Sequence, residues 1–279
     1  MRELPPAVKL GLFGAGLAAV LVGSLSLGRA TGDVAAAEPA EPVEHAAESH
    51  ESPAAIGEVQ GTSLSAGGLR LDVPTTALPP SLATSFDFRV LDADGRPVTA
   101  FDVEQGKRMH LVLVSRDLSR HAHVHPELGA DGTWSTRLTL APGAYRAVAD
   151  FSTGGERRSL GVDLAAPGEL ELASLPAPMS SVLVDGLRVE LERDGSELSF
   201  TAFRGDEPVV PEPYLGARGH LVAFRAGDLA YVHVHPAGDD GATTTYDAEL
   251  PGPGRYRLFL ELQVDGKVRT APFTLEVTA

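Results

Sequence analysis

The chain has 279 residues, a formal net charge of −15 and no cysteine. That acid excess excludes a sequence-independent grip on nucleic-acid phosphates, which needs clustered Lys and Arg. The missing thiols exclude disulfides, thiolate metal sites and cysteine nucleophiles. Cations are the partners such a charge attracts, and the length suffices for two domains of about 100 residues each after a tail.

The first element is the uncharged 19-residue run Leu10–Gly28, preceded by Arg2 and Lys9 and followed, after Arg29, by acidic residues. About 20 apolar residues cross a bilayer as a helix, and the basic flank orients the N-terminus toward the cytoplasm. Residues 1–30 are expected to form a single-pass anchor in the cell membrane, with everything C-terminal to them outside. The alternative is a signal peptide cleaved near Ala35-Ala36-Ala37, which would make the protein secreted. Residues 31–61 are rich in Ala, Glu and Pro without periodicity and read as a disordered spacer, in which His45 and His50 are solvated, with weak metal capture as the other reading.

Beyond the spacer the sequence repeats itself. "GLRLDV" (68–73) returns as "GLRVEL" (186–191), "HLVLVSRDLSRHAHVHP" (110–126) as "HLVAFRAGDLAYVHVHP" (220–236), and "PGAYRAVADF" (142–151) as "PGRYRLFLEL" (253–262). A period of about 110 residues is a domain and not a solenoid unit. Two homologous modules are expected, 62–165 and 182–279, joined by the Pro-containing linker 166–181.

Each module reads as all-β. Short alternating segments recur between turn signals: Phe86 to Val90 before "DADG", Thr133 to Leu140 before "APG", Tyr145 to Phe151 before "TGGE", and Val268 to Val277 after "VDGK". Tyr145, Ala147, Ala149 and Phe151 line one apolar face while Arg146 and Asp150 occupy the other, and Tyr256 to Leu262 repeat the pattern with Arg257 and Glu261. The expected architecture is a pair of antiparallel β-sandwiches of immunoglobulin-like or cupredoxin-like type.

The repeated histidines carry the chemistry. In a strand His123 and His125 project from one face, as do His233 and His235. His110 and His220 each precede the last motif histidine by 15 positions. If each segment folds into a hairpin near Asp117-Leu118 and Gly227-Asp228, His110 faces His125 and His220 faces His235. Three imidazoles then converge per module, a donor set suited to copper or zinc at about 2.0–2.1 Å, with copper(II) the tighter binder. His121 is an accessory candidate for the first set; Tyr231 takes its place in the second. The competing reading is structural, because strand histidines often satisfy backbone or carboxylate partners, and a register slip of one residue turns His110 to the opposite face. Met109 is expected to face away from His110, Trp134 to pack, and the "PG-x-Y-R" tyrosines Tyr145 and Tyr256 to anchor the core.

On "KRMHLVLVSRDL", "HVHP", "DGTW" and "YLGARGHLVAFRAGDLAYVHVHP" the chain resembles an actinobacterial-type family of membrane-anchored or secreted proteins loosely labelled heavy-metal-associated, over about residues 62–279. More distantly the modules are similar to YtkA-like and CopC-like copper-handling sandwiches. That resemblance implies histidine ligands on a sandwich surface, at positions corresponding to His110, His123, His125, His220, His233 and His235. The methionine-rich segments of the copper families are absent.

The functional expectation is an extracytoplasmic copper- or zinc-capturing protein. The alternative is a non-catalytic immunoglobulin-like envelope protein that presents a surface to a protein partner. No G-x-S-x-G elbow, cysteine nucleophile or phosphate loop is present, so no catalytic set is expected.

Overall fold

The computed structural model describes residues 59–278 except Leu215 and His233, and the backbone alone of His235. The expected anchor (1–30), the spacer as far as residue 58, and His233 therefore lie outside the described residues. Those described form nineteen β-strands and no helix.

The first module contains β1 (Ser65–Ala66), β2 (Leu69–Asp72), β3 (Thr84–Leu91), β4 (His110–Ser115), β5 (His121–Val124), β6 (Glu127–Leu128), β7 (Thr133–Leu138), β8 (Gly143–Thr153) and β9 (Glu156–Ala166). They make two antiparallel sheets, β1-β2-β3-β7-β6 and β5-β4-β8-β9. The second module contains β10 (Ser181–Val184), β11 (Leu187–Asp194), β12 (Glu197–Arg204), β13 (Glu207–Val209), β14 (His220–Arg225), β15 (Tyr231–Val232), β16 (Val234–Asp240), β17 (Thr243–Ala248), β18 (Gly254–Val264) and β19 (Lys267–Val277). Its sheets are β10-β11-β12-β17-β16, with β13 also on β12, and β15-β14-β18-β19. The long hairpins close through Gly154-Gly155 (φ 61° and 77°) and Asp265-Gly266 (φ 51° and 67°), the paired positive φ values that a two-residue turn needs to match strand twist.

Alternation sorts the side chains as expected on one side. Phe86, Phe88 and Trp134 from one sheet meet Leu111, Leu113, Ala147, Ala149 and Leu160 from the other in the first core, with Met109 among them. Val189, Phe200 and Tyr246 meet Ala223, Leu258 and Phe273 in the second. Tyr145 and Tyr256 are buried anchors whose hydroxyls donate to the Ala141 and Gly252 carbonyls at 2.9 and 2.6 Å.

The opposite face of the β4/β8 sheet is buried too. Val112, Val114, Leu118 and Val148 pack against Val222, Phe224, Leu229, Tyr231 and Phe259 of the second module, forming a third apolar cluster. The modules are thus docked through equivalent sheet faces, and Arg146, Asp150 and Arg257 are enclosed at 9%, 2% and 7% exposure. Leu118 and Leu229 hold φ of 60° and 57° in the two hairpin turns. That conformation costs an L-residue about 1–2 kcal/mol, offset here because both side chains fill the joint.

The chain enters the fold as a strap across this joint. Tyr231 N–H of the second module donates to the Gln60 carbonyl at 2.9 Å, while Gly61 N–H donates to Ser159 and Gly161 N–H to Ser63 in the first. Arg146 donates to the Gly61 carbonyl at 3.0 Å. A Cβ at Gly161 would lie 1.9 Å from that same carbonyl oxygen, so only glycine admits the strap.

Candidate metal centre

In the first module the hairpin has the register the spacing implies. β4 and β5 pair Leu111 with Val124 and Val112 with His123, and the Ser115 N–H donates to the Arg120 carbonyl at 2.9 Å to close the turn. Continued by one residue, that ladder sets His110 against His125. Their side chains meet: His110 Nδ1 lies 3.1 Å from His123 Nε2 and 3.2 Å from His125 Nε2. His110, His123 and His125 form the one cluster of metal-ligating donors found among the described residues.

The outer nitrogens decide the chemistry of the inner ones. His110 Nε2 is 3.0 Å from the Glu104 carbonyl, which only accepts, so the ring proton sits on Nε2 and Nδ1 keeps its lone pair. His123 Nδ1 is 3.1 Å from Glu261 Oε2, so His123 Nδ1–H donates to the carboxylate and Nε2 is left bare in the neutral ring. Two lone pairs then face each other with His125 Nε2 beside them, and a single cation, proton or metal ion, is needed to hold them together. Metal-bound histidines are oriented in this way, by a carbonyl or carboxylate on the far nitrogen. Nitrogens about 2.0–2.1 Å from a tetrahedral metal are about 3.3 Å apart, close to the observed spacings. The residues present fit a three-histidine ligand set.

Burial favours the neutral, ligand-competent form. It lowers His110 and His121 to about 4 and His125 to about 3, the neighbouring imidazoles adding to the effect at His110 and His125. Burial alone would raise Glu261, but the His123 hydrogen bond and the surrounding imidazoles hold its carboxyl below the usual range.

The other candidates are placed differently. His121 lies flat on Phe259, with ring centroids 4.5 Å apart, and takes no part in the cluster. His220 repeats the anchoring of His110: its Nε2 is 2.8 Å from the Tyr214 carbonyl, six residues upstream as Glu104 is from His110. Its Nδ1 meets the side-chain amide of Gln105 from the first module at 3.0 Å, and its ring lies 6.0 Å from that of His123. Burial is the main cause that lowers its pKa. The expected pairing of His220 with His235 is replaced. The β14–β15 ladder covers only Ala223↔Val232 and Phe224↔Tyr231, and the chain then crosses to the other sheet, where His235 pairs with Asp247.

Beside the cluster lies a cavity of about 20 Å³, room for one water or ion. His110, His123 and His220 share its wall with Asp150, Arg157 and Tyr231. Asp150 accepts from Arg157 Nε at 3.1 Å, from Ser159 Oγ at 2.8 Å and, across the joint, from the Tyr231 hydroxyl at 3.3 Å. Asp150 and Glu261 occupy the same position of the repeat, opposite His110 and His220 respectively. Sequence reasoning placed both acids on the non-core face without linking them to the histidines. Their recurrence at one repeat position was the available signal. Gln105, whose role depends on module docking, had none.

Among solved structures the chain is similar to the Escherichia coli adhesin FdeC, at 15% identity over 78% of this chain and 66% of that one, with a TM-score of 0.27. It is also similar to Yersinia pseudotuberculosis InvD, at 15% identity over 77% and 58% with a TM-score of 0.24, and to Salmonella alpha-2-macroglobulin, at 12% identity over 75% and 14% with a TM-score of 0.28. The chain spans less than two thirds of the length of each of these. No curated protein matches the sequence. A domain family does match, once over residues 65–168 and again over 182–279, and the chain belongs to it: the domain of unknown function DUF8832.

Proposed function

We propose that the docked modules form an extracytoplasmic binding unit that captures copper(II) or zinc(II) at His110, His123 and His125, without turnover. The observation that carries this reading is the convergence of three imidazoles, His110 Nδ1 lying 3.1 Å from His123 Nε2 and 3.2 Å from His125 Nε2, with the Glu104 carbonyl and the Glu261 carboxylate holding the protons of two rings on the outward side. A bound ion would supply the positive charge those facing lone pairs lack, and general affinity order favours copper(II) over zinc(II). Export, by a membrane anchor or a cleaved signal, rests on the Leu10–Gly28 run and its basic flank. Immunoglobulin-like sandwiches of the kind expected from the strand pattern suit a site displayed in the cell envelope.

Calorimetric titration of the protein with Cu(II) and Zn(II) near neutral pH tests the reading. Tight uptake that disappears in the His123→Ala, His125→Ala double variant supports it, and equal uptake by that variant removes it.

A second reading has its own observation in favour. His110, His123 and His220 already have protein partners and sit in the joint between the modules. In that case the histidines are architecture, and the protein is a non-catalytic envelope interaction module. Loss of stability on His→Ala substitution, with melting insensitive to either metal, would favour it.

A further inference from the structure

The first module supplies all three imidazoles of the cluster, yet it does not hold them by itself. His123 leans on Glu261, a strand-β18 residue of the second module, with side chains only 3% and 12% exposed. His220 of the second module leans in turn on Gln105 of the first. Gln105 has φ of 46°, an uncommon conformation for a residue other than glycine, in the Glu104–Lys107 turn that leads into β4. Each module's histidine is therefore oriented by a side chain of the other, and the two crossed contacts flank one small cavity lined by His110, His123, His220 and Gln105.

We infer that the metal centre belongs to both modules: Glu261 is the positioning residue that fixes His123 as a ligand, so that metal occupancy and module docking strengthen each other. This rests on the metal reading above. Its physical basis is that a carboxylate accepting from the far ring nitrogen sets the tautomer and raises the basicity of the ligand. The carboxylate reaches His123 only while the modules are docked through Val112, Val148, Val222 and Phe259. Coupling between two equilibria is reciprocal, so whatever docking adds to metal affinity the metal returns to docking. Capture would then stiffen the molecule at its centre and report occupancy to the whole exported body.

The test uses the full chain with Zn(II) or Co(II) as probe. Glu261→Gln keeps the shape and removes the charge; it is expected to weaken affinity about 10–100-fold and to alter the visible spectrum of the Co(II) form. Glu261→Asp should recover part of both. Phe259→Ala loosens the joint without touching the three imidazoles, and should weaken affinity and shrink the rise in melting temperature that metal produces. Should Glu261→Gln fail to fold, Glu261→Asp and Phe259→Ala carry the same comparison. Wild-type protein that takes up no metal overturns the capture reading itself. Wild-type uptake with Glu261→Gln and Phe259→Ala matching it in affinity, spectrum and metal-induced melting shift overturns the shared centre alone.

Discussion

In the first module β5 stays beside β4 as far as Val124, so His123 and His125 remain in reach of His110. In the second, β15 leaves β14 after Val232, and a seven-residue β16 carries His235 to the edge of the other sheet. The two segments share "HVHP" and the His anchored on the carbonyl of the residue six positions upstream. They differ in where the chain changes sheet. A motif supplies donors, and the crossing point decides which of them meet. The same divergence separates the two acids: Asp150 takes Arg157, Ser159 and Tyr231 as partners, whereas its counterpart Glu261 takes His123.

The largest effect that would break this comparison is on binding. Replacing His220 with Ala should leave most metal uptake intact, while His110→Ala should lower affinity by at least about 100-fold, since one of three ligands and its bond are lost. Isothermal titration of both variants decides it; equal losses would mean that the modules contribute alike.

Next comes stability at the acid pair. Asp150→Asn breaks an ion pair whose carboxylate is buried and whose Arg157 partner is partly exposed, and should cost about 1–3 kcal/mol of unfolding free energy, read from denaturant midpoints in the presence of a chelator. The other acid position, changed to Gln, should cost less in the same assay, because its partner is a histidine that can be neutral and not a permanently charged guanidinium.

Acid should expose the asymmetry in metal-free protein. Above about pH 6.5 His110, His121 and His125 are neutral in both the unfolded and folded states and add no pH dependence. As pH falls below that value the unfolded chain takes up protons that the folded state, with His110 and His121 at about 4 and His125 at about 3, does not. Stability therefore drops between about pH 6.5 and 3, steepest above pH 4, where all three groups contribute. His121→Tyr, which installs the second module's residue, should flatten that fall; a melting curve series across pH shows whether it does.

The smallest effect is a matched pair. Tyr145→Phe and Tyr256→Phe each lose one hydroxyl-to-carbonyl bond and should cost about 1 kcal/mol apiece. Unequal costs would show that the two cores have diverged as far as the two histidine segments.

Much of this was legible in the sequence, for local reasons. Period-2 alternation and turn residues give the strands, the internal repeat gives the modules, and the 15-residue separation gives the His110–His125 pairing because a tight hairpin leaves little freedom in register. Reading one face of β8 and β18 as core was correct. The fate of the other face was not legible, because Arg146, Asp150, Arg257 and Glu261 look like a solvated set until a second sheet covers them. Nothing local marks Gln105 or Glu261 as partners of histidines more than a hundred residues away. The crossing after Val232 was hidden for a similar reason: it is made by pairing with β17, which lies outside the "HVHP" segment.

The strap at Gln60–Gly61 has a mechanical consequence. Its hydrogen bonds go to Ser159 and Arg146 on one side and to Tyr231 on the other. A pull along the chain from the N-terminal direction would therefore load the seam between the two bodies before any outer strand. The glycine crossing at Gly161 would serve as the bearing under that load, and rupture would begin where the histidines are gathered.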